Sequence, residues 1–127
     1  MLKIQWTSYH ADEMYRLAGN KRHYIKPYGR RRQAANDLVK AGYMIRKKDI
    51  DNPDYVARFV YVENGEFVTF TELGKQWILS LNPQDFKPKY WFHIHPFDVE
   101  RWQASLKDKT FPETPDKVFE IEGVPNG

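Results

Sequence analysis

Residues 30–45, RRRQAANDLVKAGYMI, carry the reading on which the fold rests. From Arg30 to Ala41 the stretch holds good helix formers and no breaker, so it predicts a helix over 30–41. Arg31, Ala34, Ala35, Leu38 and Ala41 fall on one stripe, with Ala and Leu toward a core. Arg30, Gln33, Asn36, Asp37 and Lys40 take the opposite face. The small alanines let a neighbouring helix approach closely. Gly42 suits the left-handed position that ends a helix, and Tyr43, Met44 and Ile45 begin a strand.

Toward the C-terminus, the basic Arg46-Lys47-Lys48 is followed by a loop, DIDNPD (49–54). Residues 55–63, YVARFVYVE, alternate in strand fashion, and Asn64-Gly65 signals a type I′ hairpin turn. EFVTF (66–70) is the returning strand. Thr71 then caps a helix over about 72–81, with Glu72 in its first turn and Leu73, Trp77, Ile78 and Leu81 inward. Asn82-Pro83 stops it. Residues 83–96 are punctuated by prolines around the aromatic run Tyr90-Trp91-Phe92. Another helix is expected over 97–108, with Phe97, Trp102 and Leu106 inward. The end of the chain reads as extended around Val118, Phe119 and Ile121, with its last residues mobile.

Toward the N-terminus, Leu2, Ile4 and Trp6 alternate with polar residues, the mark of a short strand with one buried face. A helix over about 8–18 follows, capped by Thr7 or Ser8, with Asp12 and Glu13 favoured by the helix dipole in its first turns. Ala11, Met14, Tyr15 and Ala18 form its stripe, and Gly19-Asn20 ends it. Residues 20–29 are basic, aromatic and irregular, with room for a helical turn at 21–26. Tyr24 and Tyr28 sit among these cations as in single-strand RNA binders, but core and hinge roles fit them better.

Size and composition set the outer limits. The chain has 127 residues, enough for one domain and a tail. It has no cysteine, which excludes disulfides, thiolate metal sites and a cysteine nucleophile. Nothing resembles a signal peptide or a membrane span, so a soluble cytoplasmic protein of phage or bacterial type is expected. Charge is segregated. Residues 1–48 hold twelve Lys/Arg and three acids, a net +9, whereas residues 49–127 hold eight and fourteen, a net −6. Such a basic half points to an anionic partner, above all nucleic acid.

Two motifs flank the hairpin. Leu38-Val39-Lys40-Ala41-Gly42-Tyr43-Met44-Ile45 has the form L-x-x-x-G-hydrophobic-hydrophobic. Phe70-Thr71-Glu72-Leu73-Gly74-Lys75 has the form hydrophobic-T-x-x-G-K. In this order the chain resembles a winged helix-turn-helix domain over about residues 8–81. The resemblance implies an α+β fold, with a winged helix over 1–82 and an aromatic extension over 83–127 whose short helix packs on it. It implies that residues 30–41 are a recognition helix. Arg30, Arg31, Arg32, Gln33 and Asn36 would then read base edges, since Arg suits guanine and Gln or Asn suits adenine. Lys21, Arg22, Lys26, Lys40, Arg46, Lys47 and Lys48 would hold phosphates.

The expected function is therefore that of a small regulator binding double-stranded DNA in a sequence-dependent way, through the Arg-rich recognition helix and a basic wing, without catalysis, cofactor or metal, and compatible with a homodimer. The alternative is a protein-binding adaptor or inhibitor, such as a small phage protein acting on a host machine through the aromatic extension. His93 and His95 form an H-x-H pair, but nine residues separate His95 from Ser105 where a zinc isopeptidase signature has seven. They are read as packed or surface histidines. His10 and His23 have no partner at ligand spacing.

Overall fold

A computed structural model describes residues 2–52, 66–85 and 96–125. In chain order the elements are β1 (Leu2–Gln5), α1 (Ser8–Gly19), β2 (Tyr24–Ile25), α2 (Arg31–Lys40), β3 (Met44–Arg46), β4 (Val68–Phe70), α3 (Glu72–Ser80), α4 (Pro96–Lys107) and β5 (Phe119–Glu122). Single 3-10 turns occupy Lys47–Asp49 and Pro83–Asp85. The result is a small α+β domain. Three strands form an antiparallel sheet in the order β2-β4-β3, and β1 pairs in parallel with β5. The strand at 55–63 and the Asn64-Gly65 turn lie outside the described residues, as do Tyr90-Trp91-Phe92, His93 and His95. Among the described residues no helix is long and apolar enough to cross a membrane.

The stretch around α2 folds as its pattern dictates. Ala34, Ala35, Leu38 and Ala41 are buried, while Arg30, Gln33 and Lys40 are exposed. Gly42 takes φ +88°, and the amides of Gly42 and Tyr43 donate to Val39 and Leu38 carbonyls at 3.1 and 2.9 Å. This left-handed closure satisfies two of the carbonyls that a helix end leaves free. The chain then enters β3 with Met44 opposite Phe70 and Arg46 opposite Val68.

The two glycine motifs meet in space. The Thr71 hydroxyl donates to the Gly42 carbonyl and accepts from the Gly74 amide, which caps α3. The Thr71 amide donates to the Tyr43 carbonyl at 3.2 Å. Gly74 packs directly on that carbonyl, and a Cβ there would lie 2.1 Å from the Tyr43 oxygen. Lys75 is buried and its ammonium donates to the Lys109 carbonyl at 2.7 Å. The motif thus joins the end of α2, the start of α3 and the end of α4.

One core runs through the described chain. Met14 and Leu17 of α1, Leu38 of α2, Met44, Val68 and Phe70 of the sheet, Ile78 of α3, and Val99 and Leu106 of α4 are fully buried. Tyr15 stacks between Trp77 and Trp102, with ring centroids at 6.0 and 5.8 Å, tying α1 to α3 and α4. Gln103 of α4 donates to the carbonyls of Ile78 and Leu81, which closes the C-terminus of α3.

Several expectations are corrected. Residues 21–26 hold no helical turn; Tyr24–Ile25 is a strand paired to Thr69 and Val68. Phe97 points outward at 59% exposure, because Val99 and Trp102 take the inner face of α4. Leu2 is 68% exposed, since β5 covers β1 along its edge and not over that face. Asp37, expected on the face of α2 away from the core, is buried, and so are Asp12 and Glu13 of α1. Partners across the α1–α2 contact explain Glu13 and Asp37. Glu13 accepts from Arg16 at 2.7 Å and lies 3.7 Å from Arg31, and Asp37 accepts from His10 at 2.8 Å.

His10 has a defined protonation pattern. The Thr7 amide donates to its Nδ1 at 2.9 Å, and a backbone N–H can only donate. Nδ1 is therefore the acceptor, and Nε2 carries the proton given to Asp37. His10 occupies the third position of α1 and does what Glu or Gln does in a capping box.

Gly74→Ala should destabilise the protein by about 1–3 kcal/mol or more, as forced overpacking does. Urea unfolding of this variant should show a lower midpoint at unchanged slope. A midpoint within error of wild type would contradict the close approach of Gly74 to Tyr43.

Candidate nucleic-acid interface

A solvent-open groove of about 520 Å³ runs between α2 and the β3–β4 edge. Its floor is Ala35 and Pro27, and its walls carry Arg32, Asn36, Arg46, Lys48 and Glu66. Helical spacing puts Arg32 and Asn36 one turn apart on the same face. Arg46 reaches across from the end of β3 and donates to the Asn36 side-chain oxygen. Lys48 stands on the 3-10 turn that follows. Glu66 accepts from Arg32 at 2.6 Å and lies 3.8 Å from the Lys26 ammonium. The same ammonium sits 5.6 Å over the ring of Tyr28, which is 64% exposed. Tyr28 is therefore a surface residue and not part of the core.

The remaining basic residues divide. Arg30, at the entrance to α2, and Lys40, in its last turn, are exposed. Lys21 and Arg22 are exposed on the turn before β2, where Arg22 donates to the Tyr24 hydroxyl at 3.2 Å. Lys47 is half-buried. Arg31 turns toward α1, where it lies near the buried Glu13, and the exposed Gln33 donates along α2 to Asp37 at 3.0 Å. The structure thus gathers Arg32, Asn36, Arg46 and Lys48 at one groove, sets Lys26 beside it at Glu66, and leaves Arg31 and Gln33 outside it.

Glu66, expected from its sequence only as the first residue of a strand, is also a groove residue. Its signal was available, as a single acid before the apolar FVTF, but nothing local places it opposite Arg32. A second cavity, of about 460 Å³, has the opposite sign: Asp49, Asp51 and Glu113 surround Ile45, Ile50 and Phe111. The segregation of charge along the chain survives, in part, as segregation over the surface.

Buried titratable groups lie elsewhere. Burial raises the Glu13 carboxyl above its ordinary range, although the hydrogen bond from Arg16 opposes this. Burial also pushes the Tyr15 hydroxyl up to about 12, with Asp12 adding to the shift, and raises that of Tyr43. His23, buried with φ +57°, is pushed down to about 4 by burial and by the Lys109 charge. Its Nε2 lies 3.2 Å from the Ser105 hydroxyl and 3.5 Å from the Lys109 ammonium. An ammonium can only donate, so Nε2 accepts and the proton resides on Nδ1. Nδ1 has no hydrogen-bond partner among the described residues. With so low a pKa and no carboxylate on Nδ1, this imidazole is a weak base for Ser105. The pair braces α4 against the turn before β2.

The shift has a sign. An unfolded His titrates near 6.5, so between about 4 and 6.5 the unfolded chain binds more protons than the folded one at His23. Stability then rises with pH across this window. His23→Asn keeps a residue that tolerates positive φ and should remove that component. The difference between wild-type and variant urea stabilities should change by about 3 kcal/mol at most from pH 4 to 6.5. A difference independent of pH would show that His23 is not held neutral by the fold. Compared with protein-family models, with curated proteins and with solved structures, the chain shows no match.

Proposed function

We propose that this protein binds double-stranded DNA, as a small regulator, through the groove between α2 and β3–β4. The single observation that carries the reading is the convergence of Arg32, Arg46 and Lys48 from separate elements on one open groove, with Lys26 beside it at the groove residue Glu66. Cations placed in this way suit a run of phosphates, whose contact releases counterions and favours binding. The exposed Arg30 and Lys40 extend the positive surface along α2.

A winged-helix use of the fold is part of this proposal. The order β2-β4-β3, with α2 directly before β3, is compatible with such a layout. One helix stands between β2 and β3 where a helix-turn-helix has two. Asn36 is engaged by Arg46, and Gln33 by Asp37. Both features favour backbone contact over base reading, so affinity is expected to depend weakly on sequence.

The decisive measurement is a shift assay with random duplex, single-stranded DNA and RNA over a range of salt. If these four cations with Arg30 and Lys40 meet about six phosphates, log K should fall with log salt at a slope of about −5. Lys48→Ala should reduce that slope by about 0.9 and weaken all duplexes alike. A wild type that binds no nucleic acid at low salt would overturn the proposal. Binding of single strands in preference to duplex would move it to a different class of ligand.

A further inference from the structure

Resting on that reading, we infer that Lys26 and Arg32 form a phosphate subsite whose place is held, in the free protein, by the carboxylate of Glu66. The geometry is that of an anion clamp. One carboxylate oxygen accepts from Arg32 Nη2 at 2.6 Å, while the other lies 3.8 Å from Lys26 Nζ. The two cations come from different elements: Arg32 from α2, and Lys26 from the connection that leaves β2. A phosphodiester also presents two charged oxygens on one atom, and guanidinium and ammonium groups bind either anion by the same charge-assisted hydrogen bonds.

Exposure makes the carboxylate displaceable. Glu66 is 49% exposed, Arg32 59% and Lys26 38%, so the pairs are screened and weak. Glu66 sits just before β4, outside the paired strand, and its side chain can leave the groove without breaking the sheet. Arg46 and Lys48 line the same groove and, among the described residues, have no carboxylate within ion-pair distance. A lone small anion must compete with Glu66 for Lys26 and Arg32. A polyanion engages Arg46 and Lys48 at the same time and so overcomes the competitor. Glu66 therefore selects for ligands with several linked phosphates.

The test is Glu66→Gln, which keeps size and hydrogen bonding but removes the charge. It is made with full-length protein, random duplex and, separately, inorganic phosphate and tripolyphosphate. The variant should steepen the salt slope for duplex by about 0.9, because in the wild type the carboxylate displaced from Lys26 and Arg32 offsets the counterion release of about one phosphate, and Gln does not. If the two proteins converge at 1 M salt, the variant should bind duplex about eightfold tighter at 0.1 M. It should also gain affinity for inorganic phosphate, followed by chemical-shift changes at Lys26 and Arg32. Adding Arg32→Gln should abolish both gains. Wild-type duplex binding with no gain in the variant would overturn the subsite and leave the DNA reading standing. No duplex binding by either protein, with tighter tripolyphosphate binding by the variant, would do the reverse. If the variant gains on neither ligand, the subsite is refuted.

Discussion

The hydroxyl of Thr71 holds three parts of this protein together. It donates to the Gly42 carbonyl just after α2 and accepts from the Gly74 amide in the first turn of α3, while the Thr71 backbone amide bonds to Tyr43. Threonine is fully buried here, so each of these groups would be left unsatisfied if the others moved away. The contact requires a backbone turn at Gly42 and the absence of a side chain at Gly74. Once it is made, β3 and β4 pair in a single register, and α2 is fixed against the sheet. The groove depends on that placement, because Arg32 and Asn36 come from α2 while Arg46 and Lys48 come from β3 and beyond.

The interface between α1 and α2 is the second constraint. Alanines at 34 and 35 remove bulk, which lets the helices approach and buries polar residues of α1 that periodicity alone left outside. Glu13 and Asp37 can be buried because Arg16, Arg31 and His10 meet them. Removing one member of such a pair is costly, since the other charge stays buried without its partner. Arg31 is therefore occupied in holding α1, Gln33 is engaged by Asp37, and the anion-facing work passes to Arg32 on the next face of the helix.

Charge completes the picture. The basic residues of the first 48 positions do not spread evenly over the surface, and the acids Asp49, Asp51 and Glu113 line a different cavity from the cationic groove. Glu66 is the exception among the groove residues. Its position converts a generic positive surface into one in which an internal anion must be exchanged for an external one. Exchange of this kind disfavours isolated small anions without preventing contact with a polymer, because each additional phosphate adds its own counterion release.

Local sequence determined the helices themselves, whereas the short strand β2 is set by its pairing with β4. The spacing of Ala34, Ala35 and Leu38, the glycine after Ala41, the cap at Thr71 and the stop at Asn82-Pro83 all act within a few residues, and the observed helices and turns follow them. The concentration of cations before residue 49 was equally legible. What only the tertiary structure decided were the pairings between distant positions. These include β1 with β5 across the whole chain, His10 with Asp37, Tyr15 between two tryptophans, and Glu66 between Lys26 and Arg32. Neighbouring residues set backbone preference and amphipathic faces, so periodicity reveals which side of an element is apolar. Whether a polar side chain on that element is buried, and which partner satisfies it, depends on the element that packs opposite, and no local pattern contains that information.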